Sequence, residues 1–424
     1  MRSTGTDERT TSHATADCLV VGGGPAGLLL GYLLARGGVR VVVAEKHADF
    51  LRDFRGDTIH PSTQELLLQL GLLEEFLELP HTDLDRVSFG WRGVREVTLA
   101  DLSHLPTARR AVTFMPQGDF LDLLARAAEA LPTFELLRET AVDGLIRDGG
   151  RVVGAHAVGP SGPVELRAAT VVAADGRDSD VRAAAGLLPR RLATAMDVLW
   201  FRIPKAPDER RPLLEAGAGM LVAIDRGDYY QVAHVIPAGS WDPERGPGAQ
   251  ESLRAMTERV VAIEPAFSDR VDVLAYEDVK LLRVRLERLR DWAAPGLLCI
   301  GDAAHAMSPA GSIGINLAIQ DAVATANILG PVLLDGAPTL SDLRRVQRRR
   351  ARPTALTQRV QQALQGMLLD TDPGRPLPLP VRILDRFPPA TRLVGRFIGL
   401  GLRPERLEFA ASGAQASGSA PTSG

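Results

Sequence analysis

The chain has 424 residues, enough to bury a sizeable core and, by length, to form two or three domains. Its 49 Lys plus Arg against 52 Asp plus Glu leave a net charge of −3, which argues against nucleic acid as the main partner. Apolar residues at 45% and charged residues at 24% exclude a disordered or fibrous chain, and two cysteines exclude a disulfide scaffold.

Residues 1–16 are polar and lack the apolar core of a secretory signal, so they read as a disordered tail. Residues 18–21 form a short apolar run, as expected of a buried strand in a parallel sheet. Gly22, Gly24 and Gly27 follow at G-x-G-x-x-G spacing. In such a turn the first glycine permits the bend and the second lets backbone approach a pyrophosphate. The third lets the helix pack on the strand. Pro25 and Ala26 open a predicted helix over 26–36, with Leu28, Leu29, Tyr32 and Leu33 for contacts and Gly37-Gly38 as its stop. A second apolar run, 39–44, ends at Glu45, with Lys46 beside it. Glu45 stands at the distance beyond Gly27 where the dinucleotide fingerprint places the carboxylate that holds a ribose.

A polar stretch with Arg52, Arg55 and Asp57 follows, then a predicted helix at 62–70 that stops at Gly71. Residues 85–98, 198–203, 220–224 and 229–236 have the aromatic and β-branched content of strands, separated by Gly, Pro and charge clusters at 204–212 and 239–248. They read as a second, mostly antiparallel sheet that interrupts the first domain. Between them lie a predicted helix at 120–131 and strands at 134–137, 152–158 and 169–174. The last of these leads into Asp175-Gly176-Arg177-Asp178. Further on, an apolar run through Cys299 ends in Gly301-Asp302-Ala303-Ala304-His305. A helix at 315–329, a basic helix at 341–365, a proline-rich connection at 372–380 and a helical region to about residue 400 complete the pattern. Residues 406–424 read as a second tail. The run Arg344, Arg345, Arg348, Arg349 and Arg350 reads as a solvated helix face. Cys18 and Cys299 read as buried small hydrophobes. No stretch reads as long and uninterrupted enough to span a bilayer, and the expected location is cytoplasmic.

Two nucleotide-handling motifs nearly a chain apart, the second unlike a second dinucleotide fold, point to one large cofactor gripped at both ends, namely FAD. A diphosphate would repel Asp302, so ribityl hydroxyls are its better partner; an ordinary N-cap is the alternative. The helix beginning near Gly314 would aim its N-terminal dipole at a reduced flavin, whose anion it would stabilise. His305 reads as structural, since no metal or triad set surrounds it.

Gly22-x-Gly24-x-x-Gly27, the segment from Val171 through Asp175-Gly176 to Arg182, and Gly301-Asp302 through Asn316 together carry a family resemblance. Over residues 17–402 the chain resembles the single-component (group A) FAD-dependent aromatic monooxygenases of the p-hydroxybenzoate hydroxylase fold. The resemblance implies an α/β fold: a Rossmann-like FAD-binding domain interrupted by a mostly antiparallel β-sheet substrate domain, with C-terminal helices. The FAD-binding domain would take 17–80, 112–186 and 281–340, and the substrate domain 81–111 and 187–280. Residues 341–405 would form the helical region.

The resemblance also implies residue roles. Glu45 would hold the adenosine ribose, Arg55 would sit over the cofactor, and Gln117 would reach its ribityl or phosphate region. Val142 would meet the adenine. Asp175 and Gly176 would serve both FAD and transient NAD(P)H, and Asp302 would bond a ribityl hydroxyl. Backbone at Gly314, Ile315 and Asn316 would face the isoalloxazine, and the Pro309 carbonyl would approach the reacting centre. Trp91, Trp200, Arg202, Met220, Tyr230 and Gln231 are the substrate-contact candidates, each with sheet packing as its alternative. Two departures stand out: Ser312-Ile313-Gly314 replaces the usual Gly-Gln-Gly, and the arginine common near Gln117 is absent. The implied reaction is hydroxylation of an aromatic or polyketide-like small molecule of secondary metabolism. FAD would be held non-covalently, NAD(P)H would reduce it, and O2 would enter through a flavin C4a-hydroperoxide. No metal site is expected. A halogenase, oxidase, dehydrogenase or Baeyer–Villiger enzyme on the same fold, or a non-catalytic flavin-binding protein, stays open. Trp200-Phe201-Arg202-Ile203-Pro204 keeps the ending of the halogenase signature without its first tryptophan.

Overall fold

The computed structural model describes residues 12–50, 58–91, 95–216, 219–241, 248–369 and 377–409. At the centre of the main sheet, β1 (Ser12–Val21) pairs in parallel with β11 (Gly162–Ala173) on one side and β2 (Val41–Ala44) on the other. β8 (Phe134–Leu137) continues the parallel run beyond β2, and β20 (Leu297–Cys299) continues it beyond β11. β19 (Ala293–Ala294) closes that edge antiparallel, while β9 (Ala141–Asp148) and β10 (Arg151–Gly159) form an antiparallel wing on β11. All four residues of β2 are buried, the pattern of a strand covered on both faces. Helix α1 (Pro25–Arg36) packs there against α8 (Gly314–Asp335) and α4 (Gln117–Glu129).

The ordered fold reaches further at both ends than the composition suggested. Ser12 to Ala16 pair with Val164 to Ala168, because a main-chain ladder needs no apolar side chain. At the other end Phe409 is buried where Gly37 and Gly330 leave room for its ring, and Asn327 accepts the Glu408 and Phe409 N–H groups. Helix α8 also corrects the membrane reading. Residues 310–335 are long enough to cross a bilayer and hold an 18-residue stretch of mean hydropathy 1.5, yet 72% of that stretch is buried inside the protein. It is apolar because it is a core helix.

The second sheet has seven strands in the order β17 (Lys280–Leu282), β13 (Met196–Pro204), β16 (Tyr229–Pro237), β15 (Met220–Asp225), β14 (Leu214–Ala216), β5 (Arg86–Trp91) and β6 (Arg95–Asp101). Only β14 and β5 pair in parallel. One face, with Leu199, Phe201, Ile203, Leu221 and Val232, is covered by α6 (Ala249–Ile263) and α7 (Ser268–Val271). The sequence reading passed over α6, although Leu253, Met256, Val260 and Ile263 recur at helical spacing. The opposite face, with Phe89, Met196, Val198, Met220 and Val235, meets Ala310 and Val381. Val381 belongs to α10 (Leu379–Arg386), which leads into α11 (Pro389–Leu400).

Two small sheets join these layers: β3 (Thr58–Ile59), β7 (Val112–Phe114) and β4 (Thr82–Leu84); and β12 (Pro189–Leu192) with β18 (Leu286–Leu289). The remaining helices are α2 (Pro61–Leu70), α3 (Leu73–Glu78), α5 (Asp180–Ala184) and the long α9 (Leu340–Leu369).

Two buried histidines make stability pH-dependent. Burial pushes His60 and His234 down from 6.5 to about 4. Between those values the unfolded chain binds protons that the folded protein does not, so stability is lost as pH falls through that window. Each histidine contributes up to about 1.4 kcal/mol per pH unit. The urea midpoint of the apo-protein is expected to be lower at pH 5 than at pH 7, with a shallower dependence in His234→Leu. A flat profile from pH 7 to pH 5 would count against this.

Candidate active site

The glycine turn is built as its spacing demands. Gly22 has φ 105°, and a Cβ there would lie 2.5 Å from the Ala174 carbonyl oxygen. A Cβ on Gly27 would lie 1.9 Å from the Gly22 carbonyl oxygen, so the third glycine lets the helix start press onto the strand end. A Cβ on Gly24 would meet nothing within 4 Å. No side chain caps α1, whose first turn carries Pro25 and Ala26. Open space in front of an uncapped helix start is the setting in which backbone N–H groups receive an anion. Buried Glu45 braces the turn: its Oε2 accepts from the Gly23 N–H (2.7 Å) and its Oε1 from the His47 N–H (3.0 Å). Lys46 beside it is exposed. Arg55 lies outside the described residues.

The other two motifs close on this turn. Asp175 follows β11 directly below Gly22, and its Oδ2 accepts from the Val181 N–H at 3.3 Å. Its Oδ1 is buried with no protein partner. Burial, opposed by Ser179 and the Val181 N–H, holds this carboxyl above the ordinary carboxylate range. Gly176 has φ 91° and open space at its Cβ position. At Gly301 an added Cβ would lie 3.2 Å from Ala26 and 3.3 Å from Ala318, so the third motif touches both α1 and α8. Asp302 sits in the 3-10 turn Gly301–Ala303, 36% exposed, with Arg177 Nη2 at 3.8 Å from its Oδ2. It caps no helix: Ile300 holds the cap position of its own turn and Ile313 that of α8. The N-cap alternative therefore falls away.

From His305 the chain turns into α8 through Pro309, Gly311 (φ 78°) and Ser312 (φ 51°). Ser312 thus takes a left-handed conformation at a place where the resembling family has glycine. Ile313 makes no side-chain cap, which leaves the first-turn N–H groups of α8, at Gly314 and Ile315, aimed out of the helix. The Asn316 side chain is a cross-link, not a ligand arm. It accepts from the His60 N–H (2.9 Å) and the Thr63 hydroxyl (2.8 Å) and donates to the Thr58 carbonyl (3.1 Å). Pro309 is half-buried, Gln117 opens α4 half-buried, and Val142 lies half-buried in β9 opposite Ala157.

Behind the Gly301 turn lies a charge network that the sequence did not announce. Asp321, fully buried in α8, accepts from His305 Nε2 (2.5 Å), Arg350 Nε (2.9 Å) and the Gly301 N–H (3.1 Å). Burial pushes its carboxyl up, but His305 and Arg350 outweigh this and leave it lowered. Arg350 also donates to Glu405 (3.0 Å), which Arg349 grips through two bonds. The basic run of α9 is thus only partly a solvated face: Arg350 turns inward, as helical periodicity requires of one residue in such a run. His305 has the structural place expected of it.

The substrate candidates separate by strand phase. Arg202 lies opposite Gln231, Trp200 opposite Ala233, and Met220 opposite Val235, which puts these four on the face that meets Ala310. Trp200 is half-buried with no partner for its indole N–H. Arg202 lies over the Tyr229 ring at 5.1 Å, and Gln231 accepts from Arg226 (3.1 Å). Tyr230 is a correction. Successive residues of a strand face opposite sides, so Tyr230 packs on the α6 face near Phe267 and donates its hydroxyl to the Glu209 carbonyl. Trp91 takes its place in β5 opposite Ala216; its side chain lies outside the described residues.

The comparisons agree with this geometry. Residues 15–360 match a family model described as FAD binding domain. The chain is 36% identical over 367 residues to 6-methylpretetramide 4-monooxygenase of Streptomyces rimosus, covering 84% of this chain and 85% of that one. It superposes on the solved structure of the anhydrotetracycline hydroxylase OxyS from Streptomyces rimosus with a TM-score of 0.74. Identity there is 26%, over 92% of this chain and 77% of that one. The fold is also that of p-nitrophenol 4-monooxygenase PnpA from Pseudomonas putida DLL-E4, with a TM-score of 0.75 at 20% identity over 91% and 97% of the two chains. With its glycine turn, its Asp-Gly segment and its Gly-Asp turn brought together in space, the chain belongs to the FAD-binding-domain family of FAD-dependent aromatic monooxygenases.

Proposed function

We propose that this protein hydroxylates an electron-rich ring of a fused aromatic polyketide, of the class named for its tetracycline-pathway relatives, in the cytoplasm. The observation that carries this reading is the position of the 306–313 loop. It leaves the Gly301-Asp302 turn, packs Ala310 on the substrate sheet and ends at the open N-terminus of α8. One short segment thus borders both the groove for FAD and the face offered to a planar apolar substrate.

In this reading the α1 N-terminus and Gly24 receive the pyrophosphate and Glu45 the adenosine ribose. Val142 would border the adenine and Gln117 would reach the chain of the cofactor, and Arg55 keeps only the role the resemblance implies. Asp302 would accept from a ribityl hydroxyl, Gly314 to Asn316 would offer main chain to the pyrimidine edge, and the Pro309 carbonyl would face the reacting ring. FAD supplies hydride acceptance from NAD(P)H and the activation of O2. The protein's own part is to bind, to orient and to exclude water. Trp200, Met220, Arg202 and Gln231 would hold the substrate. Arg177, Arg182, Arg191 and Arg285, with Asp178 and Glu287, line a cleft of about 210 Å³ beside the Asp175-Gly176 segment; Arg191, Arg285 and Glu287 also line a neighbouring cavity of about 800 Å³. The arginines of the cleft pair with Asp178, Glu287 and Asp302, and a nicotinamide dinucleotide received there in passing would have to compete with those carboxylates.

The test is anaerobic reduction by NADPH and NADH with a panel of polycyclic phenols, followed by turnover under ¹⁸O₂. Substrate-stimulated reduction and one labelled oxygen atom in the product are expected. Reduction indifferent to every compound, with all the oxygen recovered as peroxide, would remove the reading. Asp302→Ala probes the ribityl contact. A bond to a charged acceptor is worth about 1.5–3 kcal/mol, so FAD affinity is expected to fall about tenfold to a hundredfold. Asp302→Asn should lose less, and apo-protein melting should hold, since Asp302 caps no helix. Unchanged affinity in Asp302→Ala would dismiss the contact.

A further inference from the structure

Helix α9 buries three glutamines, Gln358, Gln361 and Gln365, spaced to share one helix face. Gln361 lies just past the residues that match the family model, and its amide is fully used. Nε2 donates to the Ser308 carbonyl (2.8 Å) and the Ala310 carbonyl (2.9 Å), and Oε1 accepts from the Ser308 N–H (3.2 Å). Three bonds from one side chain thus bracket Pro309 on both sides. Gln358 holds the loop one step earlier, donating to the Ala306 and Glu287 carbonyls. Gln365 is buried as deeply but serves elsewhere: its Oε1 accepts from Ala195, and its Nε2 has no partner.

Burying a primary amide is costly unless its bonds are made, and a loop of irregular backbone has no ladder to satisfy it. Pro309 cannot donate, and Ser308 and Ala310 are both buried. A side chain that combines two donors with an acceptor at this reach meets the need. Asparagine falls short, and glutamate brings no donor to the two carbonyls.

We infer that Gln361 is a positioning residue: it fixes the Ser308–Ala310 backbone, and through it the Pro309 carbonyl and the start of α8, against the flavin ring and the substrate sheet. The inference rests on the proposed placement of FAD. It is tested on holoenzyme with Gln361→Met, which keeps the length and loses the bonds. Gln361→Asn, which keeps the amide and loses the reach, serves as second variant should the first not fold. Gln365→Met is the control at equal depth. The readouts are the visible spectrum and midpoint potential of bound FAD, its dissociation constant, and apo-protein melting. The Gln361 variants are expected to shift the flavin bands and potential and to weaken FAD about tenfold, the scale of one lost polar contact. Gln365→Met should leave spectrum and potential in place. Gln361 variants that melt lower but keep the parent spectrum and potential overturn the inference while leaving the function standing. A parent protein that takes up no FAD overturns both.

Discussion

Gly24→Val is expected to fold like the parent and to hold no FAD. The two halves of that result come from the same vacancy. A Cβ at Gly24 meets no atom within 4 Å, and the residue has φ −76° and ψ −177°, extended backbone open to valine. Apo-protein melting should therefore stay within the range of a neutral surface change, about 0.5 kcal/mol. The branched side chain would stand where the turn admits a pyrophosphate, and affinity should drop by about a hundredfold or more, beyond the loss of any single hydrogen bond. Gly27→Ala is the contrasting case. Its methyl group would sit 1.9 Å from the Gly22 carbonyl oxygen, a main-chain atom that cannot swing aside, so the apo-protein itself should be destabilised. FAD content after reconstitution, measured beside apo-protein melting, separates the two. Normal FAD content in Gly24→Val would place the pyrophosphate elsewhere.

Asp321→Ala is expected to cost about 3–5 kcal/mol, the range for removing one partner of a buried ion pair. Arg350 is 1% exposed, and the substitution leaves its guanidinium with Glu405 and the Arg403 carbonyl as partners while His305 and the Gly301 N–H lose their acceptor. The cost comes from stranded partners more than from the pair's own worth, and a double variant shows this. Asp321→Leu with Arg350→Met should be less destabilised than the two single variants predict by addition. Urea unfolding of the apo-proteins at pH 7 measures all four corners. Strict additivity would mean that the two charges do not depend on one another.

Sequence legibility followed the range of the interactions involved. The glycine turn was readable because steric demands within a few residues dictate it, and continuous apolar runs marked the parallel strands of the main sheet. The mostly antiparallel second sheet and the FAD-dependent monooxygenase class were legible for similar reasons, the latter from three local motifs in order. What depends on phase or on distant partners was not. Tyr230 and Gln231 both looked suited to a substrate face, yet neighbours in a strand cannot share one, and only the pairing with Arg202 and Ile203 fixes which points inward. Arg350 looked like its basic neighbours until Asp321 and Glu405 supplied a reason to bury it. Strand β1 was cut short at residue 16 because its first residues contribute hydrogen bonds and no apolar pattern. Gln361 left no sequence signal, since a glutamine in a polar helix is ordinary until its three partners are known.

The order of the strands in the main sheet has a consequence for how the chain assembles as it is made. Cys18, in β1, has Thr170 and Val41 as its partners, and the β11 edge waits for Leu297 to Cys299. The socket between Gly37 and Gly330 is filled only when Phe409 arrives. Pairings at such separation are slow to close and leave strand edges exposed meanwhile. The hairpin of β15 and β16, closed by a three-residue connection, can form within its own stretch of chain. That hairpin can therefore form early, whereas the main sheet, whose strands come from distant parts of the chain, closes late.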